Sequence, residues 1–292
     1  VVGPVLVCRR WALPVDERVE MGPFLDDAAI AEPAWRETLI EGFANPAVAA
    51  ATGSIRYMKA LGDSGEMTDE ESGAAGGGRR GGVYSRTRVR NWFALATMGG
   101  IGDGSNMAFR RKELLASPGF DERLGRGRIL ESGDEHVLFM CFLSLGHCIA
   151  HIPEAVVRHP FPGTHELIRA RMIRDRQSAI AYLAFLWEKF PAHRLDILRH
   201  LASAVCKRLP SSTAPAKGAA CLTFAQASRA AFAGLSRYGE ARREWARLTA
   251  PDYRGIAIAR VRRGPLRLWA RSRHTERLGE RHEGKGREPA LR

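Results

Sequence analysis

Residues Gly22–Gly53 read GPFLDDAAIAEPAWRETLIEGFANPAVAAATG. Phe24-Leu25 is an apolar strand end that delivers two acids, Asp26 and Asp27. Pro33 suits the first turn of a helix, and Glu32 favours its positive end. Trp35, Leu39 and Phe43 recur at i, i+4 and i+8, one helical face, with Ile40 beside them. Asn45-Pro46 stops the helix. Val48–Thr52 is a compact apolar strand that Gly53 is expected to close. Strand, acids, helix, strand is an α/β unit. Adjacent acids at the carboxyl end of a strand sit where open α/β sheets bind ligands.

Upstream, Val5-Leu6-Val7 suits a short strand, and the rest of residues 1–21 shows no period. Downstream, residues 62–82 are glycine-rich and aperiodic, a flexible loop or lid. Asn91–Thr97 is apolar and leads into Gly102–His136, GDGSNMAFRRKELLASPGFDERLGRGRILESGDEH. That stretch holds a glycine-broken turn, a polar-then-apolar run from Ser105 to Phe109, and a short helix over Lys112–Ala116 stopped by Pro118-Gly119. A glycine-bearing arm then ends on Asp134-Glu135. Glu135–Leu145 is a dense apolar helix with Gly146 as its stop. Cys148–Ile152 and Ala155–Val157 read as two strands around a Pro153 turn, ending at Arg158-His159-Pro160. Beyond Gly163 the chain turns helical, over Glu166–Phe190 and, past Pro191, Leu195–Leu209. Residues 210–292 are Arg-rich and weakly amphipathic, with a frayed end expected.

The 292 residues are 45% hydrophobic and 26% charged, an ordinary composition for a chain with a core. The net charge of +13 is uneven. Residues 1–165 carry 18 Lys and Arg against 21 Asp and Glu; residues 166–292 carry 27 against 11. The basic half favours polyanions, an anionic membrane surface among them. Nucleic acid is not expected, because no aromatic residues interleave with the basic ones in a recognised motif. Five cysteines, none in a C-x-x-C pair, argue against a disulfide framework or zinc site and for a reducing compartment. No apolar run is long enough to span a bilayer. The absence of G-x-x-x-x-G-K-[ST] and G-x-S-x-G leaves P-loop and hydrolase readings without an anchor.

Three positions could carry chemistry. Asp26-Asp27 suits a hard divalent cation holding phosphate oxygens, or else a helix cap. Asp134-Glu135 opens a helix, where the positive end favours a carboxylate able to act as general base, or else a cap. His159, at a strand end, could be a further metal ligand or a structural side chain.

The order of these segments resembles family 2 inverting glycosyltransferases of the GT-A fold. FLDDAAIAEPAWRETLIEGFANPAVAAATG is similar to the family's metal-site block, and GDGSNMAFRR to its G-x-G-x-N-M-A-F-R-R block. PGFDERLGRG is similar to its G-F-D-E-x-L-G-x-G turn, and ESGDEHVLFMCFLSLGHCIAHIPEAVVRHPF to the block bearing the catalytic acids and ending in His. The resemblance covers residues 22–162. Ala28 stands where the family usually has an acid, and the 25 residues before Asp26 do not match its longer nucleotide-binding portion.

The resemblance implies a Rossmann-like GT-A domain over residues 1–165, α/β with a mixed sheet flanked by helices and N-terminally incomplete. A helical extension (166–209) and a basic, partly disordered tail (210–292) would follow. It implies Asp26, Asp27 and His159 as ligands of Mn2+ or Mg2+, and Glu135 or Asp134 as the base. Gly104, Asn106, Arg110, Arg111 and Asp121 would lie on the acceptor and diphosphate side. The expected activity is metal-assisted transfer of a sugar from a nucleotide-sugar donor to a glycan, polysaccharide or lipid-linked acceptor. The expected place is the cytoplasm, peripheral to the inner membrane face. The alternative is a truncated, non-catalytic relative that binds anionic surfaces through its basic half.

Overall fold

The computed structural model describes residues 6–8, 20–61, 66–70, 81–160, 165–206 and 224–245. The chain is mixed α/β, a mixed sheet flanked by helices. Its strands are β1 (Leu6–Cys8), β2 (Met21–Asp26), β3 (Ile30–Ala31), β4 (Val48–Leu61), β5 (Glu66–Glu70), β6 (Gly82–Tyr84), β7 (Asn106–Arg110) and β8 (Cys148–Pro160). They are ordered β1-β2-β7-β4-β8-β3, with β5 beside β4 and β6 beside β8. β1 runs parallel to β2, and β4 parallel to β8; β7 is antiparallel to both its neighbours.

The helices are α1 (Trp35–Glu41), α2 (Trp92–Thr97), α3 (Arg111–Ala116), α4 (Asp134–Ser144), α5 (His165–Lys189), α6 (Arg194–Cys206) and α7 (Phe224–Trp245). α1 lies on one face of the sheet. Trp35 and Leu39 are buried there, and a β-carbon added at Gly42, just past the helix, would sit 3.1 Å from that of Ala51 and 3.2 Å from that of Ala150. Alternation along the strands turns Ala50 and Ile149 to the opposite face. There they join Phe24, Met107 and Phe109 in the main core, with side chains from α2, α4, α5, α6 and α7.

α4 is the centre of that core. Its run of Val137, Leu138, Phe139, Met140, Phe142 and Leu143 is apolar all round, and each of these is at most 1% exposed. A helix without a polar face must be enclosed, and each such side chain contributes about 1.5–3 kcal/mol on burial. The stop at Gly146 (φ +93°) is a Schellman turn. Its N–H donates to the Leu143 carbonyl at 3.2 Å, and that of His147 to Phe142 at 3.0 Å.

The structure departs from the sequence expectations at several places. Gly53 does not close a strand, because β4 continues to Leu61. Likewise Pro153 does not split β8 into two strands. The register jumps from Gly53–Ile152 to Ser54–Val156, so Pro153, Glu154 and Ala155 bulge out of one continuous strand. Gly53 is where the bulge comes close: a β-carbon there would lie 2.1 Å from the Ala155 carbonyl oxygen. Within the expected loop 62–82, Glu66–Glu70 forms β5, a hairpin partner of β4, and Gly82 begins β6. β3 had no sequence signal, because two residues carry no period. In the expected tail, Phe224–Trp245 forms α7, whose Ala241 and Trp245 enter the main core. Residues 207–223 and 246–292, including the expected frayed end, lie outside the described residues.

Candidate functional site

Two acidic centres meet at the turn that precedes β7. The first forms where β2 ends. Asp26 Oδ1 accepts the Ala28 N–H at 3.0 Å and lies 3.4 Å from His159 Nε2. His159 stands near the end of β8, paired in register with Tyr57, whose ring it meets edge-on at 6.2 Å. The hydrogen bond from His159, with help from the Ala28 N–H, lowers the Asp26 carboxyl to about 2. The same contact with Asp26 raises the His159 imidazole above its ordinary value. Asp27 is exposed beside them.

The carbonyl of Pro160 can only accept, so His159 Nδ1 donates to it, at 2.9 Å. That leaves Nε2 facing the carboxylate, and two acceptors in that position need a proton or a cation between them. A carboxylate and an anchored imidazole at this spacing fit adjacent positions around a divalent ion such as Mn2+. Among the described residues no group of three or more His, Cys, Asp or Glu side chains is arranged to hold a metal. The remaining ligands of an ion here would come from water or from substrate oxygens.

The second centre opens α4. Gly133 caps the helix with φ +105°, and Asp134 and Glu135 occupy its first turn. Both are buried, at 8% and 9% exposure. Burial, the neighbouring Glu135 charge and a hydrogen bond to Glu135 raise Asp134 well above the usual carboxylate range. Burial also raises Glu135, opposed by the hydrogen bond from Asp134. Glu135 Oε1 accepts the Gly104 N–H at 3.3 Å and lies 3.5 Å from His136 Nε2. The next residue, Ser105, accepts the Asp26 N–H on its carbonyl at 3.4 Å. The Gly104-Ser105 turn therefore touches both centres.

The turn is itself held from behind. Thr52 donates its hydroxyl to the Ile101 carbonyl at 2.7 Å and so accepts from His151 Nδ1 at 3.0 Å. Gly102 passes so close that a β-carbon there would meet Thr52 at 2.2 Å.

The other expected site residues have different surroundings. Asn106 is fully buried, and its amide is engaged on both sides. Its oxygen accepts from Trp35 Nε1, and its nitrogen donates to the carbonyls of Ser54 and Ala155, each at 2.8 Å. It closes the bulge of β8 onto β4 and α1. Asp121 is clamped by Arg123 through two side-chain bonds, at 2.8 and 2.6 Å. That guanidinium lies over Phe185 of α5 and Trp245 of α7, at 5.4 and 5.2 Å.

Arg110 pairs with Met21, five residues along β2 from Asp26, or about 17 Å of strand. It donates to the carbonyls of Val48 and Phe43, at 3.2 and 3.0 Å. Arg111 follows, its N–H bonded to the Glu20 carbonyl at 2.8 Å. The antiparallel register of β7 thus puts both arginines at the opposite end of the sheet from the two acidic centres.

Tyr182 of α5 was not legible in the sequence, since it lies 47 residues beyond Glu135. A β-carbon added at Gly133 would sit 2.5 Å from its ring. Its buried hydroxyl has no hydrogen-bond partner among the described residues. Burial and the nearby Glu135 charge push its pKa far up.

No family model matches this chain, and no curated protein matches it.

Proposed function

We propose that this chain is an inverting glycosyltransferase of GT-A architecture that moves a sugar from a nucleoside-diphosphate donor to a hydroxyl acceptor. The observation that carries the reading is the Gly104-Ser105 turn, bonded on one side to Glu135 and on the other to Asp26. Displacement at a sugar carbon needs a base for the attacking hydroxyl and, close by, a place for the leaving diphosphate.

Glu135 is the base. Asp134 keeps the proton of the pair and donates to Glu135, which leaves Glu135 the ionised partner. Burial raises its basicity toward neutral pH, where a general base works best. Attack of the deprotonated oxygen from the side opposite the diphosphate inverts the anomeric carbon through an oxocarbenium-like transition state. Asp26 and His159, with Asp27 beside them, hold the diphosphate end. A divalent cation bound there would neutralise charge on the leaving group. Asn106 and the Thr52–His151 pair keep the turn and the strand ends in place.

The test is release of nucleoside diphosphate from a panel of nucleotide sugars with Mn2+ or Mg2+. Turnover that Glu135→Gln abolishes supports the reading. No turnover, together with no nucleotide binding by calorimetry, sinks it.

A further inference from the structure

Helix α6 has an anchored side and an outward apolar side. Ile197 is 1% exposed and belongs to the main core. His193, just before the helix, stacks 5.3 Å from Phe93 and meets Trp92 edge-on at 5.5 Å. At 3.6 residues per turn, Leu195, Leu198 and Ala202 share the stripe opposite Ile197. Leu195 is 65% and Leu198 48% exposed.

Arginines border that stripe. Arg194 lies on one side and Arg199 on the other. Arg194 reaches back over the Trp187 ring at 5.2 Å and donates to the Trp187 carbonyl at 3.2 Å. Trp187 is itself 39% exposed. Asp196 is drawn off the stripe by Arg199 and His193, each at 3.2 Å. From Arg194 to Arg208 the sequence holds four Lys and Arg and one acid. No described helix is long and apolar enough to cross a membrane.

We propose that α6 docks this protein on an anionic phospholipid surface. The helix lies in the plane of the interface, with Leu195 and Leu198 at the boundary between headgroups and acyl chains. Trp187 sits at headgroup depth, and Arg194 and Arg199 meet lipid phosphates. Apolar residues on one stripe, basic residues along its borders and an aromatic at the edge are what such helices need. Charge favours lipid phosphate as the occupant: the stripe has no acidic border, and the whole chain beyond residue 165 is strongly basic. The inference stands apart from the transferase reading and uses none of its residues.

The experiment is flotation of the full chain with phosphatidylcholine vesicles, with and without phosphatidylglycerol. Wild type is expected to float with the anionic vesicles only, and less as salt rises. Leu195→Glu/Leu198→Glu should weaken binding by roughly tenfold or more, and Arg194→Glu/Arg199→Glu should also weaken it. Because both leucines are exposed, circular dichroism and Tm of the leucine variant should not change. Equal binding to neutral vesicles overturns the proposal. So does undiminished binding by the leucine variant, no binding by the folded wild type, or a leucine variant that changes only the oligomeric state. Nucleoside-diphosphate release in solution by the same variants reports separately on the transferase reading.

Discussion

Gly104 donates its backbone N–H to Oε1 of Glu135 over 3.3 Å. The adjoining Ser105 carbonyl accepts from Asp26, so one turn sets the spacing of both acidic centres. Glu135→Gln keeps an oxygen that can accept the Gly104 N–H and removes the basicity. Turnover is expected to fall by about 10²–10⁴ with circular dichroism preserved and no loss of Tm. A fall of less than about threefold, small beside that range, assigns the base to another group.

Asp134 makes a claim on stability. Its carboxyl titrates above the usual range in the folded chain. Between its unfolded value, about 3.9, and that raised value, the folded state binds a proton that the unfolded state lacks. Stability therefore falls as pH rises through the window. Asp134→Asn should be more stable than wild type at pH 7 and equal to it at the acid end. Each kcal/mol gained should raise Tm by roughly 2–4 °C. Melting curves across pH check this, and a constant difference at all pH values contradicts it.

The Asp26–His159 contact behaves in the opposite way at its two limits. Asp26, lowered to about 2, contributes stability above its ordinary value that is lost as pH falls toward 2. His159, raised, contributes stability below its ordinary value that is lost as pH rises through its folded value. Both contributions are present near pH 5. His159→Ala should therefore cost most there and less at either extreme, and the cost should be modest because both groups are partly exposed. Added Mn2+ should raise the wild-type Tm more at pH 8 than at pH 5.5, since a bound proton competes with the ion, and should not raise that of the variant. Thermal shift measurements decide both points.

Asn106→Ala separates a structural amide from a substrate contact. The change strands the Trp35 indole N–H and the carbonyls of Ser54 and Ala155 in the interior. Unmade buried hydrogen bonds of this kind should cost about 3 kcal/mol or more in total, read by urea unfolding. Normal stability with weakened donor binding would return Asn106 to the substrate.

Asp121→Ala should cost about 3–5 kcal/mol, because it leaves the Arg123 cation buried and uncompensated. Asp121→Leu combined with Arg123→Met should recover most of that loss. If the single and double variants are equally unstable, the ion pair is not what holds α5 and α7 at this point.

The local parts of the fold were legible. Periodicity marked α1, a dense apolar run marked α4, Gly146 marked the stop of α4, and Leu25 delivering Asp26-Asp27 marked the end of β2. Each depends on residues within one or two turns of each other. Gly53 and Pro153 misled because a glycine or proline read alone is a break. Here they serve one bulge, in which β8 carries three extra residues past β4 and Asn106 ties the gap. α7 was hidden because its apolar residues are mostly alanines, and only the burial of Ala227, Ala230 and Ala241 and the closeness of Gly234 to Ile180 show why they are small.

The sequence by itself determined α1, α4, the end of β2, the acid pairs and the uneven charge, because chain-local sterics, helix periodicity and composition settle those. Tertiary structure decided which polar residues are free to meet a ligand. Arg110 and Asn106 are equally polar on paper, yet the register of β7 sends Arg110 to the far end of the sheet, and three buried bonds occupy Asn106. His159 reaches Asp26 across 133 residues of chain only because β8 runs beside β4 and turns its end toward that of β2. Contacts between residues so far apart in the chain follow from strand order and register, which no local pattern encodes.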